Sequence, residues 1–416
     1  MTPGAGSRSC LADRSRVTSL GGNMKRRDFL RMAGAAALAS TLPVPMLRAK
    51  TMDEFHIAAI LAFSGAYGLI GNDMRKGAEL AVAQRGGKVL GKPIRFTWED
   101  DETKPQPAVQ KASRLLAEGA QMMFGAVGSA STLALQSLST QRKVPHLVTI
   151  SADDAITKPG GAPYSFRTSN TLGMEIKMTM EFVKSRGLKK IYAVTADYQA
   201  TRTGFEQFAE MAKAAGVEIV GNDYAPLGNR DFSVIIDKMA RSDADGIAVM
   251  ATGNDGITFV KQAGQVALGK DKVIFGPVLQ DDVFAAATGP AALGVNSGVR
   301  YHYSLDNPAN KAFVEAYRDA YGVFPSSFAG EAYDGLRWWL DVVEQTDSWD
   351  ADAWVKAFAN SVYETSIEGR KEMRACDHQA SQVGLWGEVV KGEAPMPELT
   401  MKITEIFPAD RLFDAC

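Results

Sequence analysis

The chain has 416 residues, of which 46% are hydrophobic and 23% charged, and a formal net charge of −2. That is enough apolar material for packed cores, and the near-neutral balance excludes the basic field that nucleic acid or an anionic membrane surface selects. The part beyond Lys50, about 365 residues, exceeds what a single core comfortably serves, so two domains are expected.

Lys25-Arg26-Arg27-Asp28-Phe29-Leu30-Arg31 runs into the small, apolar stretch Met32–Ser40, with Pro43, Pro45 and Arg48-Ala49-Lys50 beyond it. This has the form of a twin-arginine export signal, and the apolar run is well short of the ~20 residues that span a bilayer. Residues 24–50 are therefore expected to be a cleaved signal peptide and residues 1–23, which carry Cys10, an upstream extension preceding a true start at Met24. The remaining cysteines, Cys376 and Cys416, form an even pair in a chain bound for an oxidising compartment, where a disulfide clamping the C-terminal tail is expected.

From residue 54 strand-like and helix-like runs alternate. Strands are expected at Glu54–Phe63, Pro93–Glu99, Gln121–Gly125 and His146–Ile150, with helices at Met74–Arg85, Pro107–Glu118 and Ser131–Gln141 between them. After the Gly/Pro-rich break at 158–163 the order repeats. Helices at Thr171–Arg186, Gly204–Ala215, Phe232–Arg241 and Gly256–Gln265 then alternate with strands at Lys190–Thr195, Val217–Tyr224, Gly246–Ala251 and Lys272–Phe275. Such alternation predicts an α/β fold of two doubly wound parallel-sheet lobes. Further on, Asn307-Pro308 opens a helix through Tyr321, and an amphipathic helix over Gly330–Glu344 carries Trp338-Trp339, read as core.

Ligands of doubly wound sheets lie outside the carboxyl ends of the strands. The loops expected there are Phe63–Gly71, Gly125–Thr132 and Ile150–Ala155. At these loops the chain resembles the leucine/isoleucine/valine-binding type of periplasmic substrate-binding protein of ABC transporters. The likeness covers about Glu54 to the C-terminus. It is carried by Phe63-Ser64-Gly65 with Gly71, Lys76–Ala81, Gly125–Thr132, Pro145–Ser151, Phe166-Arg167-Thr168, Asp197–Gly204, Phe275-Gly276-Pro277 and Ala332-Tyr333-Asp334.

That resemblance implies a first lobe of residues 51–170 plus 300–365, a second of 171–299 plus 366–416, a three-segment hinge, and a ligand cleft that closes between them. It implies a periplasmic receptor for a small carboxylate-bearing solute, an inner-membrane ABC permease as partner, no cofactor and a monomer. The ligand carboxylate is expected on Ser129 and Ser131 with the backbone of Ala130, where a helix start offers free N–H groups and the positive end of its dipole. The competing role for the two serines is to cap that helix.

The ammonium side departs from the pattern. The second loop presents Ala152 and Asp153, and the position where amino-acid binders place a Glu is Val278, with Gln280 following. Asp153 would keep an aliphatic amino acid as ligand; Arg202 reaching a carboxylate would suit an aromatic acid. Tyr67 and Phe63, with Tyr198 from the other lobe, are expected around the apolar part of the ligand, and Thr201 or Arg202 stands where the pattern has a tyrosine closing on the ligand from the second lobe. Arg167 is read as one half of a structural ion pair and left out of the site. An exported enzyme acting on a small acid is the alternative of another class. It has little support: Gly264–Asp271 imitates a phosphate loop but ends in Asp where Ser or Thr is required, and the four histidines are isolated.

Overall fold

The computed structural model describes residues 53–414 and 416; the expected signal at 24–50 and the extension with Cys10 lie outside the described residues. β1 (Phe55–Leu61) is buried at every position, as a strand covered by helices on both faces must be. It leads to α1 (Gly68–Gln84), then to the short β2 (Lys88–Val89) and β3 (Lys92–Asp100), α2 (Pro105–Ala117), β4 (Met122–Gly125), α3 (Ser129–Arg142), β5 (His146–Val148) and β6 (Ser165–Arg167). These strands form one sheet in the order β2-β3-β1-β4-β5-β6. β1 runs parallel to both neighbours, with Ile57 opposite Phe96 on one side and Met122 on the other.

The second lobe begins with α4 (Leu172–Ser185) and continues through β7 (Lys190–Ala196), α5 (Gln199–Ala214), β8 (Glu218–Ala225), α6 (Ser233–Arg241), β9 (Gly246–Met250), α7 (Asn254–Gln265), β10 (Val273–Gly276), α8 (Asp282–Thr288) and β11 (Asn296–Val299). The chain then returns to the first lobe as α9 (Pro308–Tyr321), α10 (Ser327–Thr346), α11 (Ala351–Phe358) and the hairpin β12 (Val362–Tyr363) and β13 (Lys371–Glu372). It ends on β14 (Gly384–Lys391), β15 (Leu399–Phe407) and α12 (Ala409–Leu412). The second sheet has the order β15-β14-β11-β10-β9-β7-β8. It is parallel through β8–β11 and closes on an antiparallel edge, β11 with β14 and β14 with β15. The fold is thus two α/β lobes whose sheets are both mixed rather than purely parallel, the first through the short antiparallel β2 at its edge and the second through β14 and β15.

Two helices start more than a turn earlier than their periodicity predicts. α1 begins at Gly68, because the glycines that read as a loop are needed where the helix crosses the end of β1: a Cβ on Gly71 would lie 1.9 Å from the Ala62 carbonyl oxygen. α1 then packs along α10 so closely that a Cβ on Gly77 would meet the Ala329 carbonyl oxygen at 2.0 Å. α5 begins at Gln199, so residues 199–204 are its first turns and not a loop.

Three segments pass between the sheets, at 168–171, 300–307 and 381–383. Before the third, residues 366–380 pack on the first lobe. There Lys371 Nζ lies 2.9, 3.1 and 3.8 Å from carboxylate oxygens of Glu368, Asp334 and Glu331, all four side chains being shut off from solvent. Burial pushes the Glu331 carboxyl up to about 7 and raises that of Glu368 well above its ordinary value. Cys376 and Cys416 are disulfide-bonded across a Cα–Cα distance of 6.2 Å, within the span such a bridge requires.

Candidate ligand-binding site

In each sheet one strand is flanked on both sides by strands that follow it in the chain, and the crevice at that reversal is where a doubly wound sheet receives ligand. In the first sheet β1 lies between β3 and β4; in the second β7 lies between β8 and β9. The segments leaving β1 and β4 carry Tyr67 and Ser129, and those leaving β7 and β9 carry Tyr198 and Thr252. All four residues line one small enclosed cavity between the lobes.

That cavity has two adjoining chambers of about 70 and 50 Å³. Ser129, Ala152, Tyr198, Thr252, Val278 and Arg300 belong to both. Leu172, Glu175, Thr201, Gly204 and Met250 are among those lining only the first chamber; Tyr67, Ile70, Gly128 and Phe328 are among those lining only the second. A larger hollow of about 590 Å³, lined by the phosphate-loop imitation and by Arg186 and Asn296, opens at the amino-terminal ends of β10 and β11. That is the wrong end of the strands for a ligand site, so size is not the guide here.

Gly128, not a serine, is the N-cap of α3, and no side chain caps it. Ser129 is the first helical residue. Its Oγ accepts the Asp153 N–H at 3.3 Å and the Ser151 hydroxyl at 3.4 Å, which ties the second loop to the helix start. The first N–H groups of any helix lack intrahelical partners, and here that end of a 14-residue helix faces the cavity through Gly128 and Ser129. Ser131 is turned away, to a hydrogen bond with Asp101. Ala130 is exposed.

Among the other expected residues, Ala152, Tyr67, Tyr198, Thr201 and Val278 come together at the cavity, while Asp153, Arg202 and Gln280 do not line it. The Asp153 carboxylate accepts the Ala155 N–H at 2.9 Å. Arg202 bonds Asp197 at 2.7 Å and lies 4.2 Å above the Tyr224 ring, held on the outer face of α5's first turn. The Gln280 side chain is fully buried, and its backbone N–H is held by Ser297 Oγ at 3.0 Å. The Thr201 hydroxyl donates into the start of its own helix, to the carbonyls of Ala196 and Tyr198, the latter at 2.9 Å.

Two charged residues of the cavity escaped the sequence reading. Arg300, one residue past β11, is 5% exposed. Its guanidinium bonds the Ile150 carbonyl and holds Glu175 Oε1 at 2.6 to 2.7 Å. Burial raises the Glu175 carboxyl, with Arg300 opposing the shift. A signal existed for Glu175: it shares the buried stripe of α4 with Leu172, Ile176 and Thr179, where an unpaired acid is not tolerated. Arg300 had none until β11 was recognised.

Residues 54–394 match the family described as periplasmic binding protein. The chain is 29% identical over 305 residues to Leu/Ile/Val-binding protein homolog 6 of Brucella melitensis biotype 1, covering 71% of this chain and 77% of that protein. It superposes with a TM-score of 0.80 and 27% identity on an ABC-transporter solute-binding protein of Rhodopseudomonas palustris BisB5 solved with 3,4-dihydroxybenzoic acid, over 86% of this chain and 98% of that one. A second R. palustris solute-binding protein, solved with benzoate, gives 0.79 and 26% over 85% and 97%.

Proposed function

The chain belongs to the periplasmic binding protein family, and from that premise we propose that it is the extracytoplasmic solute receptor of an ABC importer, closing on a small aromatic carboxylate. The observation that carries the ligand class is the charge arrangement of the cavity. Ser129 at a helix start and the Arg300 guanidinium supply donors for an anion. The one acid lining it, Glu175, is already bonded to Arg300. A ligand ammonium therefore meets no free carboxylate among the described residues, whereas Leu172, Met250, Val278 and Phe328 offer apolar surface to a ring. Solute-binding proteins of similar sequence hold benzoate and 3,4-dihydroxybenzoic acid.

A second reading, an aliphatic amino acid, draws on Glu175 itself. If Arg300 turns to the ligand carboxylate, Glu175 is the acid left to take the ammonium, and a 29% identical relative carries a Leu/Ile/Val-binding name. Calorimetry with benzoate, 4-hydroxybenzoate and leucine separates the two. Micromolar binding of the benzoates with no heat from leucine supports the first reading, and the reverse order overturns it.

On this reading residues 24–50 are removed on export to the periplasm. The two lobes close about the three crossings, and the closed monomer docks on an inner-membrane permease. No chemistry is performed: the bound compound is recovered unchanged, and a product accumulating with time rejects the receptor role in favour of an exported enzyme.

A further inference from the structure

Arg167, at the end of β6, is fully buried. It is not the half of an ion pair that its sequence context suggests. Its Nε donates to Gln379 Oε1 at 2.6 Å, Nη1 to the carbonyls of Ser151 and Asp153 at 3.0 and 2.8 Å, and Nη2 to Thr157 Oγ1 at 2.5 Å. Every acceptor is neutral, although buried charges are ordinarily paired. Burial lowers this guanidinium only to about 10, so it remains a cation at neutral pH.

The carbonyls it grips flank Ala152 in the cavity wall, and the Asp153 N–H reaches Ser129 Oγ. Of the described charges that line the cavity, Arg300 and Glu175 offset each other, whereas Arg167, just outside the lining, bonds only neutral acceptors. No carboxylate among the described residues makes an ion pair with it, and Asp154 and Asp153, which act on it from a distance, sit partly in solvent, where their charge is screened. The Asp154 carboxylate, partly open to solvent, is bonded by the Gly173 N–H at 3.0 Å and Gln207 Nε2 at 2.9 Å; that of Asp153, also partly open, is held by Ala155. Tyr67 and Tyr198 stay neutral, since burial raises both hydroxyls.

We propose that Arg167, which does not line the cavity, is the second counter-charge of the bound carboxylate and a determinant of the site's preference for an acid over its neutral analogue. The inference rests on the carboxylate reading above. A unit charge roughly 12 Å away in a medium of effective dielectric near 20 changes anion affinity by about tenfold, ~1.4 kcal/mol, and leaves a neutral ligand untouched.

The test is the ratio of affinities for benzoate and benzamide, with leucine and leucinamide run in parallel, on the folded full chain. Gln379→Glu places a carboxylate against Arg167 and pairs its charge. Arg167→Met removes that charge, and Arg167→Lys keeps it while breaking the grip on the loop. The expected result is an acid-over-amide ratio about tenfold lower in Gln379→Glu and Arg167→Met and unchanged in Arg167→Lys, even where all affinities fall together. A wild-type ratio retained in Gln379→Glu and Arg167→Met overturns the proposal; if Arg167→Met does not fold, Gln379→Glu decides alone. A wild-type protein that does not prefer the acid overturns the carboxylate reading itself, which is a different failure.

Discussion

The hydroxyl of Tyr67 on the first lobe donates to the hydroxyl of Tyr198 on the second at 3.2 Å, directly over the cavity. A bond across the mouth of the cleft exists only when the lobes are shut, so it contributes to closure and not to the folding of either lobe. Tyr198→Phe keeps the ring and removes the acceptor. Ligand binding is expected to weaken by about 3- to 10-fold, the ~0.5–1.5 kcal/mol of one neutral hydrogen bond. The change should appear in the dissociation rate, with the melting temperature of the ligand-free protein unchanged. Stopped-flow dissociation and a thermal melt check both.

The lobes also meet at Gly253. It has φ +65°, and a Cβ there would lie 2.5 Å from the Ala66 carbonyl oxygen of the other lobe. Beside it Asn254 Nδ2 donates to the Gly65 carbonyl at 3.0 Å. With ψ −140° beside that φ, Gly253 lies in a region essentially reserved for glycine, so Gly253→Ala combines backbone strain of ~1–3 kcal/mol with a clash present only in the closed form. Solution scattering should show the variant staying expanded when ligand is added. Gly228→Ala, at φ +84° with open space around it, brings positive-φ strain without a clash between the lobes and is expected to close normally.

The strand and helix order of residues 54–275 was readable, the short β2 and β6 apart, because each longer element has its own period. What was not readable depends on contacts between distant segments. The antiparallel edge β14–β15 comes from the last stretch of chain and has no parallel partner to announce it. Arg202 looked like a ligand residue while 199–204 looked like a loop; once those residues wind into α5 it falls on the outer face. Glu175 and Arg300 pair across 125 residues, a relation that no local pattern records. The helix-start serines split by geometry alone, since Ser129 opens on the cavity and Ser131, two residues on, turns to Asp101.

Ser129→Ala removes the hydroxyl at the helix start and the acceptor that fixes the Asp153 N–H. The expected loss in carboxylate affinity is ~1–3 kcal/mol, that of a hydrogen bond to a charged group, or about 5- to 150-fold by calorimetry. Ser131→Ala, which strips a bond from buried Asp101, is expected to lower thermal stability and leave affinity within about twofold.

His146 sits at the start of β5, fully buried, with Nε2 2.5 Å from the Gly125 carbonyl. Burial lowers its pKa to about 4. The unfolded chain, with an ordinary value near 6.5, then takes up a proton that the folded protein refuses. The stability involved is fully present above pH 6.5 and is lost as pH falls from there toward 4, up to about 3 kcal/mol. Asp255 and Asp281 work in the opposite direction: burial raises both carboxyls to about 6, so their contributions improve on acidification. His146→Gln isolates the histidine term. Between pH 6.5 and 4 the unfolding free energy of the variant should fall less steeply than that of the wild type, and parallel curves would remove His146 as the source.

The disulfide joins residues 40 apart. Around it the tail is already held by non-covalent contacts: Arg374 lies over the Phe413 ring at 4.6 Å, and Lys177 Nζ reaches the Leu412 carbonyl at 2.9 Å. Because those contacts survive without the bridge, its main effect is to restrict the unfolded chain. The loop-closure estimate for that spacing is ~4 kcal/mol. Cys376→Ser with Cys416→Ser, or the wild type in reductant, should therefore melt several degrees lower with ligand affinity within about threefold. Equal melts with and without reductant would mean that the bridge contributes nothing to stability. A large affinity loss would mean instead that it restrains the Gln379–Arg167 contact and, through it, the loop at Ala152.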